Sequence, residues 1–214
     1  MERIIMKRFS DVFFSLIILS ILSPFLLIIS LVIKVDSKGP ILFSQRRIGR
    51  NNTEFVLYKF RSMRTETPNV PTHLLKEPQS YITTFGKFLR KSSLDEVPQL
   101  LNILIGDMTF IGPRPALYNQ YDLRKLRTSC GVHTLRPGVS GWAQVNGRDS
   151  LAISEKVVLD AYYLKHHNIA LDIKILFLTA WKVIKADGII EGTRDSKNVE
   201  NRAEKVLGEG AKKG

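Results

Sequence analysis

The sequence predicts an α+β fold, mostly helical: an N-terminal re-entrant membrane hairpin (helix, break, helix) followed by a small globular domain with a β-hairpin and amphipathic interfacial helices. Three observations carry that prediction. Val12 to Ile33 is an uncharged, mostly apolar run of 22 residues with Ser23-Pro24 at its centre. Ile41 to Gln45 and Glu54 to Phe60 are short strand-like runs on either side of Gly49-Arg50-Asn51-Asn52. From Tyr81 onward, apolar residues recur chiefly at helical spacing.

The apolar run is long enough to cross a bilayer core of about 30 Å. Arg3, Lys7 and Arg8 precede it, and Lys34, Lys38, Arg46, Arg47 and Arg50 follow it. Under the positive-inside rule both flanks belong in the cytoplasm. Pro24 offers the solution, because it lacks an N–H and its ring clashes with the preceding turn. A break there leaves halves of about 11–12 residues, or about 17 Å each. Each half reaches about midway into the bilayer, so the chain can return to the side it left. A single-span anchor containing a tolerated proline is the alternative. A cleaved signal peptide fits poorly, because the run is long and no small-x-small site follows it. A buried soluble helix fits poorly too, since no polar face interrupts the run.

Asp36-Ser37-Lys38-Gly39-Pro40 is a turn, dividing a hairpin unit of residues 1–36 from a globular domain of residues 37–194. After the β-hairpin, residues 65–80 are loop-rich, with Pro68, Pro71 and Pro78. Tyr81 to Lys91 reads as a helix, and a second covers about Glu96 to Leu104, ended by Gly106-Asp107. Phe110 to Pro115 is an irregular loop, Ala116 to Ser129 a polar helix, and Pro137 to Arg148 a Gly-rich segment. Ile153 to His166 and Leu171 to Lys185 complete the helices. Asp172, Lys174 and Lys182 interrupt the apolar stretch Ile169 to Ile184, so it reads as an amphipathic helix on the core or the bilayer. Residues 195–214 are polar, and a flexible tail is expected there.

The formal net charge is +12, and residues 34–64 set eight Lys/Arg against Asp36 and Glu54. That balance favours an anionic partner, and beside a membrane insertion anionic lipid is the simplest one. Nucleic acid is not expected: no zinc finger, basic-zipper heptad or RNA-binding aromatic motif is present. Cys130 is the single cysteine, which excludes a disulfide framework within the chain. His73, His133, His166 and His167 lack zinc-protease spacing.

The sharpest chemical signal is Ser92-Ser93-Leu94-Asp95-Glu96-Val97-Pro98-Gln99-Leu100, two adjacent carboxylates at a helix start with Arg90 and Lys91 upstream. A capping box, Ser93-x-x-Glu96, is the purely structural reading. It would put Pro98 at the fifth helical position, where a missing N–H is costly, whereas a start at Asp95 removes the conflict. Both acids then face an electropositive end where phosphate also binds. A hard divalent ion such as Mg²⁺ is the natural bridge between carboxylate and phosphate, with Asp95 and Glu96 as its ligands. Gly112-Pro113-Arg114-Pro115 holds an arginine between two prolines, suiting phosphate recognition or serving as a rigid surface turn. Gln144-Val145-Asn146-Gly147-Arg148 offers amides for a sugar or base edge, and Lys59 and Arg61 could add a phosphate contact or form a basic strip.

Together these segments resemble the small bacterial sugar transferases of the monotopic phosphoglycosyl transferase family. The resemblance runs from about Met6 to about Lys185, through Ser23-Pro24, Gly39 to Gln45 and Tyr58 to Met63. Its most specific stretch is Leu94 to Pro115, followed by Arg136 to Arg148 and Leu171 to Lys174. The resemblance implies transfer of a sugar phosphate from a UDP-sugar to polyprenyl (undecaprenyl) phosphate at the cytoplasmic face of the bacterial inner membrane, releasing UMP. It implies Asp95 as nucleophile, forming a covalent phosphosugar intermediate, and Glu96 as its partner at a Mg²⁺ site. Lys59, Arg90 and Arg114 are implied near the phosphates, and the segment holding Gln144, Asn146 and Arg148 near the nucleotide sugar. Lys7, Arg8, Ser23, Pro24 and Asp172 match positions tied to the re-entrant geometry. Two alternatives stand beside it: a glycosyltransferase releasing UDP, against which the absence of Asp-x-Asp speaks, and a non-catalytic membrane scaffold, which leaves Asp95, Glu96 and Arg114 unexplained.

Overall fold

The computed structural model describes residues 2–68, 78–147 and 150–185. His73, Arg148 and the tail from 195 lie outside them. The first helix, α1 (Glu2–Asp36), absorbs the basic lead-in and continues through Pro24, so the expected break is not an interruption of the helix. The physical reason is local. Pro24 cannot donate to the carbonyl of Ser20, and Ser23 Oγ donates to that carbonyl instead, at 2.9 Å. This is the one helix in the described residues long and apolar enough to cross a membrane.

A stripe of buried and half-buried residues along α1 includes Asp11, Ser15, Ile18, Leu22, Leu26, Ile29 and Ile33, in steps of three and four. The rest of the surface stays apolar and exposed, from Phe9 (72%) through Phe13, Ile21 and Leu27 to Leu31 (68%). Both ends of α1 are fastened to the same globular domain. Lys7 Nζ donates to Asp172 Oδ2 (2.7 Å), the Tyr163 hydroxyl (2.9 Å) and the Ile111 carbonyl (3.0 Å). Arg8 reaches the carbonyls of Ile103 and, at 2.8 Å, Leu104. At the other end the Arg61 guanidinium closes the helix on the carbonyls of Ile33 (3.2 Å), Ser37 (2.6 Å) and Lys38 (3.0 Å). Asp36 accepts from the backbone N–H of Phe85 at 3.1 Å.

The β-hairpin pairs β1 (Leu42–Ile48) with β2 (Glu54–Phe60), setting Phe43 opposite Lys59. Its turn needs left-handed backbone at Asn51 (φ 55°) and Asn52 (φ 60°), which asparagine tolerates well. A single helical turn, α2 (Pro78–Tyr81), lies at the end of the segment expected as loop. The expected helix over Tyr81 to Lys91 starts late, as α3 (Thr84–Lys91), because the Thr83 hydroxyl caps it by accepting from Gly86 N–H. A 3-10 turn at Leu94–Glu96 precedes α4 (Gln99–Ile105). β3 (Thr109–Ile111) follows. The start of the expected polar helix is instead β4 (Ala116–Leu117), drawn onto the free edge of β1 before α5 (Tyr121–Ser129) begins. β5 (Gly138–Ser140) lies parallel to β3, and α6 (Trp142–Val145) is one short turn.

Two long helices close the domain. α7 (Ile153–His166) opens with Glu155 accepting from its cap residue's N–H, and α8 (Ile169–Lys185) has the expected amphipathic character. Ile175 is buried, whereas Ile173, Phe177, Trp181 and Ile184 face outward. Leu57, Leu100, Ile103 and Met108 form the core between β2 and α4, with Ile18 and Leu19 of α1 packed on it. Asn102, fully buried there, accepts from Tyr58 N–H (3.1 Å) and donates to the Val56 carbonyl (2.7 Å), which pins β2 to α4.

Candidate active site

That clamp brings the end of β2 to the turn before α4. Asp95 and Glu96 sit on the 3-10 turn Leu94–Glu96, two residues ahead of α4 rather than on its first turn. Ser93 adopts φ 58° and its side chain makes no capping bond, so the capping-box reading is not realised. Pro98 takes the position just before α4, where its missing N–H costs nothing.

The two carboxylates have different surroundings. Glu96 Oε1 is shared by Lys59 Nζ at 2.7 Å and Arg114 Nη2 at 3.0 Å. Asp95 is 9% exposed, and among the described residues no hydrogen bond reaches its side chain. Burial pushes the Asp95 carboxyl above its ordinary range, reinforced by Glu96 and opposed by Lys59, Arg90 and Arg114. Burial likewise pushes the Lys59 ammonium down, against the attraction of Glu96. The outcome is one anchored carboxylate and, beside it, one with uncommitted oxygens in a cationic setting.

Arg114 is held by groups that the sequence reading did not single out. Arg127 on α5 donates to the Arg114 carbonyl at 2.8 Å, and its Nε and Nη2 grip Asp160 Oδ2 of α7 at 2.9 and 2.6 Å. Arg47 donates to the neighbouring Pro115 carbonyl at 3.0 Å. The loop is also braced from behind. A Cβ at Gly141 would lie 2.1 Å from the Gly112 carbonyl oxygen, and one at Gly138 would lie 2.1 Å from the Gly112 nitrogen. Arg127 and Asp160 lie outside the motif segments, and Asn102, inside the Leu94 to Pro115 stretch, was given no role there. Their one trace in the sequence was a polar residue on the inward face of a helix.

Of the residues expected in the site, Lys59, Asp95, Glu96 and Arg114 converge, with Arg90 in electrostatic reach of Asp95. Gln144 and Asn146, on and after α6, make no bond to this cluster. Asn146 donates to the Trp142 carbonyl at 2.7 Å, and both polar atoms of the Gln144 amide are buried without a partner. Arg148 lies outside the described residues. Lys7 and Asp172 pair with each other, and Arg8, Ser23 and Pro24 occupy the helix contacts given above.

No group of three or more His, Cys, Asp or Glu side chains gathers among the described residues. The donor set fits Mg²⁺ nonetheless. That ion typically takes one or two protein carboxylates and fills its remaining positions with substrate phosphate and water.

The profile of the bacterial sugar transferase family matches residues 2–186. The chain is 37% identical over 185 residues to the uncharacterized sugar transferase EpsL of Bacillus subtilis (strain 168), covering 86% of this chain and 90% of that protein. It is 39% identical over 186 residues to the UDP-glucose:undecaprenyl-phosphate glucose-1-phosphate transferase of Escherichia coli (strain K12), covering 83% of this chain and 40% of that one. A UDP-N-acetylgalactosamine-undecaprenyl-phosphate N-acetylgalactosaminephosphotransferase of Aeromonas hydrophila is 36% identical over 188 residues, covering 85% of this chain and 44% of that one. The chain thus spans less than half the length of the latter two relatives and nearly all of the first.

Proposed function

This chain belongs to the bacterial sugar transferase family, and from that premise we propose that it moves a sugar 1-phosphate from a UDP-sugar to polyprenyl phosphate, releasing UMP. The observation that carries the reading is the unequal pair: Glu96 held by Lys59 and Arg114, and Asp95 buried beside it with free oxygens. An Asp95 oxygen attacks the sugar-bearing phosphorus of the donor. The P–O bond to the UMP leaving group breaks, leaving an acyl phosphate on Asp95. A phosphate oxygen of the polyprenyl acceptor then attacks the same phosphorus and displaces Asp95. The products are a polyprenyl diphosphate sugar and the regenerated carboxylate.

Lys59 and Arg114 offset the charge that builds on the phosphoryl oxygens, and Glu96 fixes where both cations point. Asp95 and Glu96 would hold Mg²⁺, which supplies further neutralisation of the donor diphosphate. Two successive half-reactions let a water-soluble donor and a lipid acceptor use one site. Purified protein with Mg²⁺, polyprenyl phosphate and a panel of UDP-sugars is expected to release UMP with at least one donor. Release of UDP instead would assign glycosyl transfer and remove the role given to Asp95.

The membrane arrangement proposed is a re-entrant α1 with both flanks at the cytoplasmic face. It is supported by the attachment of Lys7, Arg8 and Asp11 at one end, and of Ile33 and Asp36 at the other, to one domain. In a Cys130→Ser background, single cysteines at Ser10 and Lys38 should both react with an impermeant thiol reagent applied from the cytoplasmic side. Protection of either one would indicate a spanning helix.

A further inference from the structure

We propose that Arg8, Arg50 and Arg136 form a binding site for the phosphate of an anionic phospholipid headgroup, set apart from the Asp95 centre. Three separate elements bring these groups together. Arg8, on α1, lies on the carbonyls of Ile103 and Leu104, with its Nη2 about where a Cβ at Gly106 would be touched, 3.5 Å away. Arg50, in the hairpin turn, donates through Nε to the Thr134 carbonyl at 2.9 Å. Arg136 follows two residues later, and its neighbour Pro137 accepts from Thr109 N–H at 2.9 Å, which sets it beside the start of β3, just after the loop that leaves α4.

Arg136 is the informative member. It is half-buried, and among the described residues no hydrogen bond or ion pair reaches its guanidinium. Burial pushes it down from its ordinary value, and Arg8 and Arg50 add repulsion. Asp11 and Asp107 face it from α1 and from the loop after α4: Asp11 accepts from Phe110 N–H at 3.3 Å through Oδ1 while its Oδ2 is buried without a partner, and Asp107 accepts from Asn102 at 3.4 Å. Three guanidiniums against two carboxylates leave a net positive charge, and the Arg136 fork, with no bond among the described residues, is the part suited to a phosphate.

The position names the source of that phosphate. Phe9 (72% exposed) adjoins Arg8, and Ile105 (65% exposed) adjoins the α4 carbonyls that hold it. The cluster therefore sits at the rim of the apolar surface, at the level where acyl chain gives way to headgroup. It is also away from the site, since β2 runs from Glu54 near the Arg50 turn to Lys59 at the opposite end of the hairpin.

The test titrates short-chain phosphatidylglycerol, short-chain phosphatidylcholine or inorganic phosphate into the full chain in neutral detergent, reading the thermal midpoint. Phosphatidylglycerol is expected to raise it and phosphatidylcholine to leave it unchanged. Arg136→Gln, and separately the exposed Arg50→Gln, should weaken the titration about fivefold each. Arg136→Lys should recover part of the response. Equal stabilisation by inorganic phosphate would overturn the lipid assignment, and an unchanged phosphatidylglycerol titration in both Gln variants would overturn the site. None of these arms depends on the donor chemistry, so the transferase reading stands or falls separately.

Discussion

Asp95→Asn is expected to lower UMP release by about 10⁴-fold or more, the scale seen when a covalent nucleophile is removed. No phosphosugar adduct should then be detectable on the protein by mass spectrometry after donor alone is added. The same variant should be more stable than the parent at neutral pH. Asp95 in the folded chain has a carboxyl pushed up by burial, so the folded state binds a proton more tightly than the unfolded chain does. Its ionisation therefore costs the folded state, from the unfolded value upward. Stability falls as pH rises through the folded value and is regained on acidification. Asparagine carries no such cost. Thermal melts in chelator-containing buffer should show the variant above the parent at pH 7, with the gap closing toward pH 4. Retained turnover would remove Asp95 as nucleophile, and a gap that widens on acidification would contradict the burial argument.

The second large effect is expected at the buried pair behind Arg114. Arg127→Ala leaves the Asp160 carboxylate buried without its partner, which costs about 3–5 kcal/mol. It also frees the Arg114 carbonyl. The two consequences can be separated. Arg127→Met with Asp160→Leu replaces the pair by apolar groups and should recover most of the lost stability, since burial alone already raises the Asp160 carboxyl despite Arg127. Turnover should remain about 10²-fold low, because Arg114 still lacks the donor that fixes its backbone. A double variant that recovers both melting temperature and turnover would reduce Arg127 to a structural residue.

The helix-forming stretches were legible where periodicity was long and uninterrupted. Ile153–His166 matches the sequence expectation residue for residue, and the two strands flanking the Asn51-Asn52 turn were evident from composition. Boundaries moved where a cap, a proline or strand pairing decided how backbone groups are satisfied. Thr83 started α3 late, Pro98 pushed α4 back to Gln99, and the free edge of β1 pulled Ala116–Leu117 out of a helix. Gln144 and Asn146, grouped by motif with Arg148, were not drawn to the carboxylates.

From the sequence by itself came the membrane-compatible apolar run with basic flanks, the β-hairpin, the adjacent acids, and the cationic residues at Lys59, Arg90 and Arg114. All of these are local patterns, readable because charge, hydropathy and turn chemistry act over a few residues. The tertiary structure alone decided which carboxylate is held and which is free. It also set the fastening of both ends of α1 to one domain and the bracing of Arg114 through Arg127 and Asp160. Those outcomes depend on contacts between residues separated in the chain, from 13 positions for Arg127 and Arg114 to 165 for Lys7 and Asp172. No local pattern encodes such contacts, because burial and the geometry of the packed core select them.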